Sequence, residues 1–365
     1  LEIRIFIVGG WEHCSFEVGR SRDKHDGAVR RMIFALTSRN AMQAWLCENP
    51  VGVDGLQWKD VPTPQPKAGE VLIEIKAASL NFPDLLIIQN KYQVKPPLPF
   101  VPGSEYAGVV AAVGEGVERL RVGQSVACLS GTGGFATHTI APAALCVPLP
   151  PEFPHVDAAA FIMIYATSHH ALVDRAQLKA GETLLVLGAA GGVGTSAIQV
   201  GKALGAQVIA AASSDEKCEF CRSIGADATI NYGREKLRDA IQAATEGKGP
   251  DVVYDPVGGD LAEPALRSIA WRGRYLVIGF ASGNIPALPL NLPLLKGASL
   301  VGVFWGSFAR HEPKANAALM SELVRWYGEG RIKPVIDRVL PMGQLKAAFE
   351  YMGSRAVKGK LVMVN

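Results

Sequence analysis

The chain has 365 residues, of which 48% are hydrophobic and 19% charged, and a formal net charge of +3. That length suggests two domains rather than one, with ample apolar material for a core. The small charge and the lack of a long basic run argue against a nucleic-acid partner, and no uninterrupted apolar stretch reaches the roughly 20 residues of a membrane span.

The first residues, "LEIRIFIVGGWEHCSFEVGRSRDKHDGAVRR", show no sustained period. Their apolar start is too short, and too poor in preceding basic residues, for a signal peptide. From Met42 the text reads like the start of a domain, so residues 1–41 are expected to be an extension, disordered or not native. Six cysteines are scattered along the chain. A disulfide framework is not expected in a chain this large, and a reducing cytoplasm is the expected location.

Residues 42–165 carry short alternating runs divided by Gly and Pro. In "EVLIEIKAAS", Val71, Ile73 and Ile75 fall on one face and Glu74 and Lys76 on the other. A β-rich, barrel-like domain is expected. From 166 the rhythm changes to strands such as "TLLVLGA", "AQVIAAAS" and "GRYLVIGF" alternating with helix-period text. Such repeats imply a parallel sheet covered on both faces, a doubly wound α/β domain. "ASLVGVFWG" reads as a further strand, and the mixed tail after it as a return to the first domain. The expected division is 42–165 plus 304–365 for the β-rich domain and 166–303 for the α/β domain.

The stretch "LLVLGAAGGVGTSAIQV" places Gly188, Ala190, Gly191, Gly192, Val193 and Gly194 between a strand and a helix. Glycine lets the backbone bend sharply and approach a pyrophosphate, and the helix N-terminus then favours the anion. The position at the head of a βαβ unit is the context that makes this a dinucleotide turn. The next strand ends in Ser213 and Ser214 with Lys217 beyond, where an NAD site has a carboxylate. Hydroxyls and a cation suit a 2′-phosphate, so NADPH is the expected cofactor. Asp215 could take the NAD role, but helix N-capping is the expected one. In the same helix Cys218 and Cys221 form a "CEFC" that lacks two further zinc ligands, and packing is the expected role.

Four stretches carry a family likeness: "AASLNFPDLLIIQNKY", "PFVPGSEYAGVV", "GAAGGVG" and "SRAVKGKLVMVN". From Met42 onward the chain resembles the medium-chain dehydrogenase/reductase superfamily, in its zinc-free quinone oxidoreductase (zeta-crystallin-like) branch. The resemblance implies a GroES-like β-rich catalytic domain and a Rossmann cofactor domain. Zinc-type members carry Cys at the position of Asn81 and His at that of Ser104, in a "GHE" motif that reads Gly103-Ser104-Glu105 here. With the soft thiolate and the imidazole gone, no zinc is expected. Cys128, His138 and Cys146 lie where zinc-type members have a structural lobe, and are expected to be core or loop.

The resemblance implies Asn81, Asp84 and Tyr92 as cleft residues. Asn81 positions the nicotinamide ribose or the acceptor oxygen, or merely bonds a turn. Asp84 is catalytic or a structural acceptor. Tyr92 is a proton donor, as in related enoyl-thioester reductases, or a pocket wall. For the cofactor, the resemblance implies Thr167 near the nicotinamide and Ser213, Lys217, Tyr232 and Arg355 around the 2′-phosphate. Ser214, Gly279, Phe280 and Lys360 complete the expected cofactor set. Trp305 is expected at the pocket wall and subunit contact of a homodimer paired through "ASLVGVFWG", and His169 and His170 in packing or surface roles. Tyr165 stands where relatives have glycine and is expected to reshape the cleft.

The expected function is zinc-independent, NADPH-dependent reduction of a small-molecule acceptor, a quinone or related conjugated carbonyl. Without a metal there is no Lewis acid to activate an alcohol, whereas a conjugated carbonyl accepts hydride directly. Two alternatives stay open: an enoyl-thioester reductase with Tyr92 as donor, and a non-catalytic, crystallin-like NADPH-binding protein.

Overall fold

The computed structural model describes residues 41–365, so the expected extension, but for Ala41, lies outside the described residues. Strands β1 (Ala41–Cys47) and β2 (Leu56–Pro62) pair with each other. They are followed by β3 (Glu70–Ser79), α1 (Phe82–Ile87), β4 (Glu105–Val113), β5 (Ser125–Leu129), β6 (His138–Pro142) and β7 (Cys146–Pro148). Two helices, α2 (His155–Ala159) and α3 (Ile162–His169), and a π-helical turn (His170–Arg175) lead out of this region.

The α/β part runs β8 (Thr183–Leu187), α4 (Gly192–Ala203), β9 (Gln207–Ala212), α5 (Asp215–Ser223), β10 (Ala228–Asn231), α6 (Leu237–Ala244), β11 (Val252–Asp255), α7 (Ala262–Ser268) and β12 (Arg274–Val277). The chain continues through α8 (Asn291–Lys296), β13 (Ser299–Gly302), α9 (Trp305–His311), α10 (Pro313–Gly328), β14 (Ile336–Pro341), α11 (Leu345–Gly353) and β15 (Lys360–Val364).

Two larger sheets organise these elements. The six-stranded sheet has the order β10-β9-β8-β11-β12-β13, with every pairing parallel. Strand order reverses between β8 and β11, and in such a doubly wound sheet ligands bind at the carboxyl ends of the strands beside that reversal. The seven-stranded sheet has the order β14-β15-β3-β4-β5-β7, with β6 also on β3. Its C-terminal strand β15 pairs antiparallel with β3, Val362 opposite Ser79, so the tail closes on the first sheet.

The alternation expected in β3 holds over Ile73, Glu74, Ile75 and Lys76. It breaks further on, where Ala77, Ala78 and Ser79 are all buried, because α2 packs on β3, β4 and β5. One core runs from Ala77, Ala107 and Val362 of the first sheet to Val186 and Val208 of the second. Helix α10 belongs to it through Leu319, Met320, Leu323 and Trp326, a stripe at helical spacing that packs towards α3. His169 Nε2 lies 3.0 Å from Glu322 Oε2 and its ring tilts against Trp326, while His170 stacks on Phe308.

Two expectations are corrected here. The strand read into "ASLVGVFWG" ends at Gly302, and Trp305 opens α9 with its ring buried and its indole N–H donated to Asn316 Oδ1 at 2.9 Å. That indole finds its partner one helix further on. Tyr165, on α3, is buried in the core and donates to Gln199 Oε1 of α4 at 2.7 Å, whereas it was expected at the cleft. Among the described residues no helix is long and apolar enough to cross a membrane.

Candidate active site

The glycine turn follows β8 at the strand-order reversal. Gly188 has φ +57°, a conformation in which a side chain is strained, and Gly191 caps α4. A Cβ on Gly194 would come within 2.5 Å of the Ala189 carbonyl oxygen, so this glycine lets the helix close on the preceding turn. A Cβ on Gly191 would meet nothing nearer than 3.5 Å, which leaves its open side free for a ligand. The first-turn N–H groups of Gly192, Val193 and Gly194 have no helical acceptors and face the same way. Together these features fit a pyrophosphate. The closing segment clamps the turn: Gly359 N–H donates to the Ala190 carbonyl at 2.8 Å.

The far end of this crevice gathers the residues expected around a 2′-phosphate. Lys217 Nζ donates to the Arg355 carbonyl at 2.6 Å, which ties α5 to the C-terminal segment. The Arg355 charge lies near the Tyr232 hydroxyl, and Ser213 is within hydrogen-bonding reach of it. Burial pushes the Lys217 ammonium below the usual lysine range, which is where a bound anion would restore it. Ser214 is the N-cap of α5 and accepts from Lys217 N–H at 3.3 Å, so its hydroxyl already has a structural task. Asp215 is therefore not the cap; it accepts from Asn231 Nδ2 at 2.9 Å and from an Arg234 nitrogen at 2.8 Å. Cys218 and Cys221 are buried on α5.

Gly279 and Phe280 follow β12 at the same carboxyl edge, where Gly279 N–H donates to the Asp255 carbonyl at 3.3 Å and Phe280 is partly exposed. Thr167 lies half-buried on α3. Its neighbour Ser168 is 2.7 Å from Ser196 Oγ and 3.0 Å from the Tyr254 hydroxyl, which fixes α3 against α4 and β11.

A second cluster lies where β3, β4 and β15 meet. The Glu105 carboxylate accepts from Ser79 Oγ at 2.9 Å, Asn81 Nδ2 at 3.0 Å and the Met163 N–H at 2.8 Å. Lys360 Nζ donates to Asn81 Oδ1 at 2.6 Å and to the Leu80 carbonyl at 3.0 Å, and stands 3.4 Å from Glu105. Glu105, Lys360 and Asn81 are all buried. Burial pushes the Lys360 ammonium below the usual lysine range, and the Glu105 and Asp84 charges oppose that shift.

This arrangement corrects two expected roles. Lys360 was expected to bind cofactor; its ammonium instead balances Glu105 and orients Asn81, and only its stem approaches the turn. A Cβ on Gly192 would come to 3.0 Å from Lys360 Cδ, so the stem runs under the first turn of α4. Asp84 was expected in catalysis; it is fully buried, with one oxygen accepting from Asn81 N–H at 2.8 Å and the other from Ser104 N–H at 2.9 Å. It is the structural acceptor that starts α1. Burial raises its carboxyl to about 6 against those hydrogen bonds. Tyr92 is half-buried in the first-sheet core, and burial, followed by the Asp84 charge, holds its phenol above the usual tyrosine range. The role of Glu105 was missed at the sequence level. The available signal was a carboxylate in an apolar strand, which needs a cation or several donors.

The fold's zinc-type metal does not fit these residues. Asn81 and Ser104 offer an amide and a hydroxyl 3.4 Å apart, Glu105 is already engaged by four donors, and an ammonium occupies their centre. Among the described residues no group of three His, Cys, Asp or Glu could hold a metal ion.

A parallel doubly wound sheet with a dinucleotide turn, joined to a β-rich sheet that carries a buried polar cluster, defines a two-domain, nucleotide-binding oxidoreductase architecture. Residues 67–151 match the family model described as alcohol dehydrogenase GroES-like domain, and residues 192–322 the model described as zinc-binding dehydrogenase. A quinone oxidoreductase-like protein 2 homolog of Nematostella vectensis is 34% identical over 90% of this chain and 90% of its own length. The quinone oxidoreductase-like protein 2 of Bos taurus is 37% identical over 82% of this chain and 87% of its own. A solved mycobacterial structure, complexed with NADPH, is 30% identical, covers 89% of this chain and 100% of its own, and superposes with a TM-score of 0.83. The chain belongs to the medium-chain dehydrogenase/reductase superfamily of oxidoreductases, in its zinc-independent quinone oxidoreductase branch.

Proposed function

We propose that this protein is an NADPH-dependent reductase of quinones or related conjugated carbonyls that works without zinc. The observation that carries the reading is the buried Lys360–Asn81–Glu105 cluster, which fills the metal position with an ammonium, while Lys217 Nζ is tied to the Arg355 carbonyl beyond the glycine turn. The NADPH bound by the mycobacterial relative supports the same cofactor here.

When bound, NADPH supplies a hydride to an electron-poor acceptor. The chain's own residues do the rest. The first-turn amides of α4 hold the pyrophosphate, and Ser213, Lys217, Tyr232 and Arg355 select the 2′-phosphate. Gly279 and Phe280 follow β12 at the carboxyl edge, where the nicotinamide end belongs, and Thr167 of α3 is the third residue assigned to it. The Lys360–Asn81–Glu105 cluster fixes the α1 N-terminus, and a rigid wall keeps reactants aligned without further ordering cost. Tyr92, half-buried against the first-sheet core, keeps its phenol protonated through the neutral range, and quinone reduction takes its proton from water.

That raised phenol also favours a second reading, reduction of an enoyl thioester with Tyr92 giving the proton. The two separate in one experiment: NADPH oxidation by metal-stripped protein, with an ortho-quinone and with crotonyl-CoA in parallel. Faster turnover of the quinone supports the first reading, turnover of the thioester alone replaces it with the second, and cofactor binding without either turnover overturns both.

The edge of the six-stranded sheet supports a homodimer. Among the described residues β13 pairs on one side only, and Leu300 is exposed on it, Leu290 and Leu294 before it and Phe304 just after it. Burying that apolar row against a second copy would extend the sheet across a two-fold axis. Sedimentation of the full chain as a monomer at micromolar concentration would count against it.

A further inference from the structure

Cys128 and Cys146 face each other on neighbouring antiparallel strands, β5 and β7, in direct register. The two residues before them in the ladder show what kind of pair this is. Val126 is opposite Pro148, which has no N–H, and Leu149 N–H donates to the Ser125 carbonyl at 3.0 Å. Bonded and non-bonded pairs alternate along an antiparallel ladder, so Cys128–Cys146 is a non-hydrogen-bonded pair, the closer kind, with Cα atoms ~4.5 Å apart. That separation falls inside the range a disulfide spans, roughly 4.4–6.8 Å. Both thiols are buried, and the Cys146 thiol donates to the Pro142 carbonyl at 3.6 Å. Neither belongs to the cofactor crevice or to the Glu105 cluster.

The two sulfurs are not equivalent. The Cys128 thiol, as donor, and the Arg119 guanidinium hold Cys146 below the usual thiol range, against its burial. Arg119 also donates to the carbonyls of Ala143 and Cys146, so its charge is fixed beside this thiol. Cys128 is held well above the usual range, by its partner first and by burial second. Cys146 therefore ionises first, and a thiolate is the nucleophilic form. Among the described residues β7 is the last strand of its sheet, and Leu145, next to Cys146, is exposed, so a small oxidant has a short path in.

We propose that Cys128 and Cys146 form a reversible dithiol–disulfide pair oxidised by hydroperoxides. The Cys146 thiolate attacks one oxygen of the peroxide; an S–O bond forms, the O–O bond breaks, and the other oxygen leaves and takes up a proton as water or alcohol. The Cys128 sulfur then attacks the Cys146 sulfenic acid; the S–S bond forms, the S–O bond breaks, and the departing hydroxide takes the Cys128 proton as water. The two sulfurs give up two electrons and the peroxide gains two. Because β5 also pairs with β4, with Cys128 opposite Tyr106 and Leu129 opposite Glu105, the cross-link pins the sheet one residue from the Glu105 cluster.

The test treats the reduced full-length protein with hydrogen peroxide, denatures it with a thiol alkylator and maps the peptides by mass. The expected result is a peptide pair joined through Cys128 and Cys146, two alkylated cysteines fewer per chain, and full recovery after dithiothreitol. Cys128→Ser and Cys146→Ser each abolish the cross-link, and the Cys218→Ser/Cys221→Ser double variant keeps it. All cysteines staying alkylatable, or oxygen adding to Cys146 with no cross-link, would overturn the proposal. The wild-type peptide map decides by itself if a variant does not fold.

Discussion

Lys360 Nζ lies 2.6 Å from Asn81 Oδ1 although 279 residues separate them in the chain. The bond joins the last strand of the first sheet to the start of α1, and the same ammonium stands 3.4 Å from the fully buried Glu105. Removing one member of a buried pair leaves the other charge uncompensated, at a cost of about 3–5 kcal/mol. Lys360→Met should lower unfolding stability on that scale and reduce turnover through a looser α1. Lys360→Met/Glu105→Gln should cost less than the sum of the single changes. Strict additivity in a urea-unfolding cycle would show that the two charges do not interact.

Asp84 gives a pH signature of its own. Its carboxyl sits at about 6 in the fold against an ordinary value of 3.8, so the folded state holds the proton more tightly than the unfolded one. The contribution favours folding fully below the unfolded value and is lost as pH rises through about 6. At ~1.4 kcal/mol per unit this amounts to roughly 3 kcal/mol. Relative to Asp84→Asn, which cannot titrate, the wild-type protein should lose stability between pH 4 and pH 7. Thermal midpoints of both proteins that run parallel across that range would refute the shift.

Lys217 and Arg355 should set the preference for a phosphorylated adenosine. A charged hydrogen bond contributes ~1–3 kcal/mol, so Lys217→Ala or Arg355→Ala should weaken NADPH about 10- to 100-fold and barely change NADH. Fluorescence titration with both cofactors measures this. Equal weakening of NADH would mean the side chains act on the fold instead.

The glycines of the turn should separate by function. Gly194→Ala drives a Cβ to 2.5 Å from the Ala189 carbonyl oxygen, so it should destabilise the fold and the cofactor site together. Gly191→Ala meets nothing closer than 3.5 Å, so it should leave the thermal midpoint near wild type and weaken cofactor binding alone. A Gly191→Ala protein that binds NADPH normally would remove the pyrophosphate from that position.

Tyr92→Phe should spare quinone reduction, where protonation can follow from water, and should lower any enoyl-thioester turnover by the 10²–10⁴ of a general acid. Steady-state rates with both acceptors read the difference. Equal losses would make Tyr92 a wall of the pocket.

The parallel sheet, the dinucleotide turn and the hydroxyls and cation after β9 were legible in the sequence, because each is local. Glycines at a strand–helix junction and apolar runs between turn residues report the backbone over a few residues. The likeness of the "GSE" and "LNFPD" stretches to a zinc-free branch was legible too, since it needs only residue identities. Local reading failed where a partner comes from elsewhere. Trp305 was read into a strand because its apolar neighbours continue past Gly302, and only Asn316 in the folded chain shows it as the start of a helix. The sequence by itself determined the class of fold, the nucleotide turn and the lack of metal ligands at Asn81 and Ser104. Only the tertiary structure decided that Asp84 caps a helix, that Lys360 serves Asn81 and Glu105, and that Cys128 meets Cys146. A buried charge or thiol takes its role from whatever the other strands bring against it, and strand pairing across a sheet leaves no periodic trace in either segment.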